Sequence, residues 1–189
     1  MTERGERLVE TVVGLDPLAD LPRTGWLLRG VRPCESVAEH SFGVVLVTML
    51  LVDARRAEGM VVDGERAMRM AVVHDAPEAR TGDVPMPNKT PALREALRVL
   101  EADLVERLLP EAPRADWHAL EAGESLEARI VKAADKLQMM IKALCYGAQG
   151  RGELMDFWSN PRNFEDRGLM IAREAFEALA ARAGRTVPR

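Results

Sequence analysis

The sequence predicts an all-α protein built as a single compact helical bundle, and three observations carry that prediction. Almost every patterned segment repeats its apolar residues at i, i+3, i+4 and i+7, the spacing of one face of an α-helix. No stretch sustains the alternation of apolar and polar residues that a half-buried strand needs. The length, 189 residues, matches one domain over 1–189, and a chain of that size can bury about 70% of its unfolded surface in one core.

The first helix is expected over 6–15, closing near Gly14 and Pro17. A connector holding Pro22, Gly25, Gly30 and Pro33 follows, and it is rich in arginine: Arg23, Arg29 and Arg32. Ser36 opens a long helix to about 58, and Glu39 three residues on completes a capping box that satisfies two orphan backbone donors. Asp63 caps a third helix over 64–79, with Met68, Ala71 and Val72 on its inner face and Pro77 distorting its last turn. The segment 81–91, TGDVPMPNKTP, has one glycine and three prolines and reads as a loop. Further helices are expected over 91–109, 124–147 and 164–183, with a short turn near Trp117 and a loop over 150–161.

Composition excludes several functions. With 26 Lys+Arg against 30 Asp+Glu, the formal charge is −4 and the pI about 5.5. No excess of positive charge is available to neutralise a row of phosphates, so a nucleic-acid polymer is not the expected partner. The apolar run 44–52 has nine residues, against about 20 for a membrane span, and the N-terminus MTERGERLVE lacks the apolar stretch of a signal peptide. A cytoplasmic protein with no membrane partner is expected. Cys34 and Cys145 are too few for a disulfide framework or a cysteine-based zinc site.

In a helical protein, polar residues on faces that should be buried carry the information, because an unpaired buried charge costs several kcal/mol. His40 shares the face of Val37, Val44 and Val47. His74 and Asp75 lie three and four residues after Ala71, and Asp135 sits four after Val131, at the edge of the stripe formed by Ile130, Leu137 and Ile141. Each residue alone has an ordinary explanation: a satisfied core histidine, an Asp75–Arg80 pair, or Asp135 paired with Lys132 or Lys136. Together they bring two imidazoles and two carboxylates inward from three helices, and a divalent cation is the economical way to bury such a set.

His40, the adjacent pair His74-Asp75, and Asp135 in KAADKL resemble the H…HD…D signature of the HD-domain metal-dependent phosphohydrolases. The flanks PRTGWLLRGVRPCESVAEHS and HDAPEARTGDVP are similar to the 5′-deoxynucleotidase branch of that superfamily, and the resemblance covers about 15–150 and, weakly, the C-terminal helix. It implies an HD-domain bundle that releases phosphate from nucleoside 5′-monophosphates, 2′-deoxy ones above all. It also implies one divalent metal per chain (Mn, Co, Fe, Ni or Zn) on His40, His74, Asp75 and Asp135. By the same resemblance Glu78 acts on the nucleophilic water or the leaving-group proton, Arg23 receives the phosphate, and Asp83 lies near sugar and phosphate. Arg29, Arg32 and Lys89 are secondary phosphate candidates. The ordinary readings remain beside these: a helix-end carboxylate for Glu78 and a turn former for Asp83.

Bacterial relatives of this branch carry an Arg-Trp dipeptide whose indole helps exclude the ribose 2′-hydroxyl. Here Thr24 and Gly25 separate Arg23 from Trp26, so Trp26 either covers the nucleoside or belongs to the core. Homodimers are common in the family, and the resemblance extends that expectation to this chain. The two-metal HD oxygenases and HD-GYP phosphodiesterases need further histidines, and only His118 is to spare. Alarmone hydrolases follow the pair with Glu-Asp, where this chain has Glu78-Ala79. The rival readings are hydrolysis of another small phosphate ester or a nucleotide di- or triphosphate, and a metal-bearing nucleotide-binding protein without turnover.

Overall fold

The computed structural model describes residues 2–188; among these there is no β-strand, only an isolated bridge between Pro22 and Ser36. The all-α prediction is borne out. Helix α1 (Glu3–Leu15) is capped by Thr2 and starts three residues earlier than expected. The arginine-rich connector contains a one-turn helix, α2 (Thr24–Leu27). Its ends are drawn together by backbone bonds from Arg23 N–H to the Glu35 carbonyl and from Val37 N–H to the Leu21 carbonyl.

Helix α3 (Val37–Ala57) begins at the expected capping box, in which Glu39 N–H donates to Ser36 Oγ and Ser36 N–H donates to Glu39 Oε2. By length and composition α3 could cross a bilayer, with a mean hydropathy of 1.6 over its best window. In this fold it packs against α4 (Gly64–Val73) and α8 (Leu126–Ala148), burying His40, Val44, Thr48 and Leu51, while Val37 at its start packs with Leu18 and Ala79. Asp63 caps α4 as expected.

Three expectations are corrected. The helix begun at Gly64 ends at Val73 instead of 79: Pro77 has no N–H, and its ring would strike the Val73 carbonyl. His74–Pro77 therefore form a turn, and a new one-turn helix, α5 (Glu78–Thr81), starts beyond it. The inner face of α4 is Ala67, Met70, Ala71 and Val73, one step round from the expected set; Val72 is exposed and Met68 half-buried. The segment near Trp117 is no short turn. After α6 (Pro91–Leu108), α7 runs over Glu111–Ala122. Pro110 and Pro113 precede its first interior hydrogen bonds, where proline is tolerated, and Gly123 closes it in the left-handed region.

A short helix, α9 (Met155–Ser159), interrupts the expected loop, and α10 (Met170–Arg182) starts six residues late. Arg167 and Gly168, both at positive φ, hold the preceding backbone out of helical geometry. The core is centred on α8, where Ile130, Val131, Ala134, Leu137 and Met140 pack against Val44, Met70, Ala71 and Phe176. Ile130 is fully buried, so Ile130→Ala is expected to cost about 2–5 kcal/mol. At roughly 2–4 °C per kcal/mol for a chain of this size, thermal melting followed by circular dichroism should show a fall of several degrees.

Candidate metal centre and cleft

The packing of α3, the 74–77 turn and α8 brings four ligand-type side chains to one point. His40 is fully buried on α3, and its Nε2 lies 3.2 Å from Asp135 Oδ1, 3.4 Å from His74 Nε2 and 3.7 Å from Asp75 Oδ2. Asp75 Oδ2 is 3.1 Å from His74 Nε2. His74 Nδ1 stands 2.8 Å from the Ala71 carbonyl. A carbonyl only accepts, so Nδ1 carries a proton, and once the ring is neutral it is the Nε2 lone pair that faces the cluster. His40, His74 and Asp135 form a group whose ligand atoms all lie within 4.8 Å of one another. Asp75 adjoins it and shares Oδ2 with Arg23 Nη1 at 3.3 Å.

With neutral imidazoles this is a set of nitrogen and oxygen acceptors turned toward one another with no proton between them. Such a set suits a divalent cation. Donor atoms about 2.1 Å from a shared ion stand roughly 3.0–3.4 Å apart, and three of the four separations fall in that range. The Asp75–Arg80 alternative is not realised, since Arg80 donates to the carbonyls of Gly14 and Ala79. Asp135 does meet Lys136, at 3.6 Å, while its other oxygen faces His40.

Charge compensation governs the cluster. Burial would raise Asp75, but His74, Arg23 and His40 hold its carboxyl below the ordinary range. Burial works the same way on Asp135, which Lys136 and the two imidazoles hold well below that range. Burial would lower His74, yet Asp75 and Asp135 raise it.

Beside the cluster opens a cleft of about 270 Å³, close to the lower end of small-molecule sites, roughly 300–1,000 Å³. Its charged end is lined by Arg23, Asp75, Glu78, Asp83 and Lys89, and its apolar wall by Trp26, Met139 and Phe157. Arg23 Nη1 lies 3.6 Å from Asp83 Oδ1 and 3.9 Å from Glu78 Oε2. Burial alone would lower the guanidinium, but Asp75, Asp83 and Glu78 raise it. Asp83 accepts the Thr24 N–H, tying the loop before α6 to the connector. Trp26 is 2% exposed; its Nε1 donates to Glu35 Oε1 at 2.8 Å and its ring stacks on Phe157 at 4.3 Å. It is a core residue with one edge on the cleft.

Glu78 opens α5, only 13% of its side chain is exposed, and Oε2 is buried without a hydrogen-bond partner. Burial and then the Asp75 carboxylate push Glu78 up to about 10, against the pull of Arg23. Among the secondary candidates, Lys89 reaches the cleft, Arg29 pairs with Asp156 at 2.7 Å on its rim, and Arg32 is exposed. His118 is exposed and faces Glu106. Sequence reasoning missed Phe157, Asn160 and Asn163, which reach the cleft from the expected 150–161 loop and just beyond it. It also missed the buried pair Glu35 and Gln138. Gln138 carried a signal, a polar residue on the stripe of Val131 and Ala134; Glu35, before a helix cap, carried none.

The sequence profile of the HD domain matches residues 15–167. The chain belongs to the HD-domain family. This HD-domain protein is 32% identical over 150 residues to the human 5′-deoxynucleotidase HDDC2, covering 76% of this chain and 71% of that one. It is 33% identical over 140 residues to the Saccharomyces cerevisiae 5′-deoxynucleotidase YGK1, covering 69% and 62%. Its fold superposes on the PH0347 protein of Pyrococcus horikoshii with a TM-score of 0.78 and 32% identity, over 93% of this chain and 98% of that one. It also matches the cyanophage S-2L HD phosphohydrolase DatZ, bound to dA and one catalytic Zn²⁺, with a TM-score of 0.56 and 25% identity, over 100% and 88%.

A raised folded-state pKa makes Glu78 take up a proton on folding at any pH between its ordinary value and about 10. Its contribution to stability is therefore whole in acid and is lost as pH rises. In metal-free protein at pH 8, Glu78→Gln should melt higher than the parent, by roughly 2–4 °C for each kcal/mol relieved. The difference should close as pH falls toward 4; melting curves at both pH values check it.

Proposed function

We propose that this chain is a metal-dependent phosphohydrolase of the 5′-deoxynucleotidase kind, releasing inorganic phosphate from nucleoside 5′-monophosphates, 2′-deoxy ones preferred. The observation that carries this reading is the convergence of His40, His74, Asp75 and Asp135 beside a cleft that also presents the Arg23 guanidinium and a buried carboxyl oxygen of Glu78 without a hydrogen bond. The names of the human and yeast relatives, and the dA-bound phage enzyme, point to the same substrate class. In this reading the four side chains hold one divalent ion of the Mn, Co, Fe, Ni and Zn set. When bound, such an ion polarises a phosphoryl oxygen and lowers the pKa of water.

The chain's own groups supply the rest. A phosphomonoester brings close to two negative charges to a site already rich in acids, and Arg23 is the cation positioned to receive them, with Lys89 behind it. Glu78 Oε2, without a donor of its own, exchanges a proton with the attacking water or with the leaving 5′-oxygen. Water oxygen bonds to phosphorus, the P–O5′ bond breaks, and the nucleoside departs with a 5′-hydroxyl. Trp26 and Phe157 wall the nucleoside end, and Asp83 holds the Arg23 segment in register. A non-catalytic binder would gain nothing from keeping Glu78 desolvated and without a hydrogen bond.

The proposal extends to a cytoplasmic protein of one HD domain, acting as a homodimer on free nucleotides. Phe42, Leu46, Met49 and Leu50 form an exposed apolar stripe along α3 that a second copy would cover.

Phosphate release by metal-stripped protein, with each metal restored singly and a panel of ribo- and deoxynucleotides, tests the activity. Deoxynucleoside monophosphates should be hydrolysed only after metal is restored; no release with any metal overturns the reading. Glu78→Ala should lower turnover about 10²–10⁴-fold while metal content stays constant. Arg23→Ala should lower kcat/KM roughly 10- to 150-fold, the worth of one charge-assisted hydrogen bond. A variant that loses only melting temperature, with unchanged kcat/KM, would return Arg23 to a structural role.

A further inference from the structure

Behind His40, away from the cleft, lies a second set of buried polar groups that the proposed reaction does not touch. Glu35 and Gln138 are each 5% exposed. Gln138 Nε2 donates to Glu35 Oε2 at 2.9 Å, and Gln138 Oε1 lies 2.5 Å from His40 Nδ1. Glu35 Oε1 accepts from Trp26 Nε1, and the Glu35 N–H donates to the Tyr146 hydroxyl at 2.9 Å.

Donor and acceptor roles in this chain of bonds can be deduced from one end. Indole N–H only donates and a carboxylate only accepts, so Glu35 must be met by the amide nitrogen of Gln138 and not by its oxygen. That orientation turns Oε1 toward His40 and requires a proton on Nδ1. Nε2 is then left with its lone pair on the side of His74, Asp75 and Asp135. A second observation shows that the space is shaped for this side chain: a methyl group on Gly43, one turn along α3 from His40, would stand 2.7 Å from Gln138 Cγ and 2.9 Å from its Nε2. Glycine in mid-helix lowers helix stability by roughly 0.5–1 kcal/mol relative to alanine, yet only glycine leaves Gln138 room to lie against His40.

We infer that Glu35 and Gln138 are positioning residues that fix the tautomer and ring orientation of His40 for metal binding, with Gly43 as the space that admits them. This rests on the proposed ligand role of His40. Histidine ligands generally donate their second ring N–H to an oxygen acceptor, and loss of such an acceptor weakens metal binding about 10- to 100-fold.

The test is calorimetric titration of the metal-stripped full chain with Co²⁺ alone, with melting curves of the same preparations. Gln138→Met and Gly43→Ala should each bind Co²⁺ about 10- to 100-fold more weakly, Gly43→Ala despite its better helix propensity. Glu35→Gln should also weaken binding, because two amides then compete for one set of donors and acceptors. Exchanging the two chemistries in one protein, Glu35→Gln with Gln138→Glu, should restore most of the affinity: the amide now at 35 donates to the carboxylate now at 138, which accepts from His40. If the single variants lower melting temperature with unaltered Co²⁺ affinity, or the exchange restores nothing, packing explains them and the inference is overturned. His40→Ala separates the two levels. If it binds Co²⁺ as the parent does, the ligand reading itself fails; if it loses Co²⁺ while Gln138→Met and Glu35→Gln do not, only the positioning inference fails.

Discussion

Desolvated charge is the constraint on which the architecture turns. Four carboxyl groups (Asp75, Glu78, Asp83 and Asp135), two imidazoles and the Arg23 guanidinium share one end of the helical core, and each of them that stays ionised out of water costs several kcal/mol unless it is paired. Arg23 is the hub, with Nη1 within 4 Å of three of the carboxylates. Its backbone is held in turn by the Glu35 carbonyl, and the neighbouring Thr24 N–H by Asp83. The connector that sequence reading leaves without structure is ordered by charges supplied from the 74–77 turn, α5 and the loop beyond.

The same constraint explains why α4 stops where it does. An uninterrupted helix through Pro77 would fix Glu78 on the Asp75 face at helical distance and leave the turn's backbone groups bonded internally. The break lets Asp75 and Glu78 be aimed separately, Asp75 toward His74 and Arg23, Glu78 into the cleft. It also frees the His74 carbonyl to accept from Trp117 Nε1 at 3.2 Å, so α7, whose indole is buried at 4% exposure, braces the turn. One proline thus converts a helix end into a site, and the cost of the lost helical bonds is offset by bonds from a neighbouring helix.

What could be read from the sequence divides along physical lines. The long helices were legible because burial of a stripe imposes a period, and α3, α6 and α8 lie within two residues of their expected ends. His40, His74, Asp75 and Asp135 were legible because each breaks such a stripe, and the structure brings all four together. Events decided by single residues in tertiary context were less so. Pro77 announced a distortion but not a restart, the segment near Trp117 read as a short turn where α7 forms, and the face of α4 was misjudged by one position. Trp26 could not be assigned, because its burial depends on Glu35 and Phe157, residues nine and 131 positions away in the sequence. No local pattern encodes such a partnership.

The cleft itself is made in two different ways. Its floor comes from Asp75 on the braced turn, Glu78 on α5 and Asp135 on α8, with His40 of α3 buried against the two aspartates, all held by close packing that tolerates little displacement. Its wall comes from the connector and from α9 and the turn after it, through Trp26, Phe157, Asn160 and Asn163, with Met139 of α8 beside them. Segments of that second kind accept sequence change more readily than packed helices do. In the proposed reading the floor meets the phosphate and the wall the nucleoside, so a change at Asn160 or Asn163 would alter what the wall receives while His40 stays held by Gln138 of α8. Phe157 stacks on Trp26, whose Nε1 donates to Glu35, which accepts in turn from Gln138, so a run of contacts leads from the wall to His40 beside the direct Arg23–Asp75 pair that joins the connector to the floor. That run ends at His40 Nδ1, the ring nitrogen opposite the one that faces Asp75 and Asp135, so the wall braces the imidazole from behind while Arg23 meets the floor from the front.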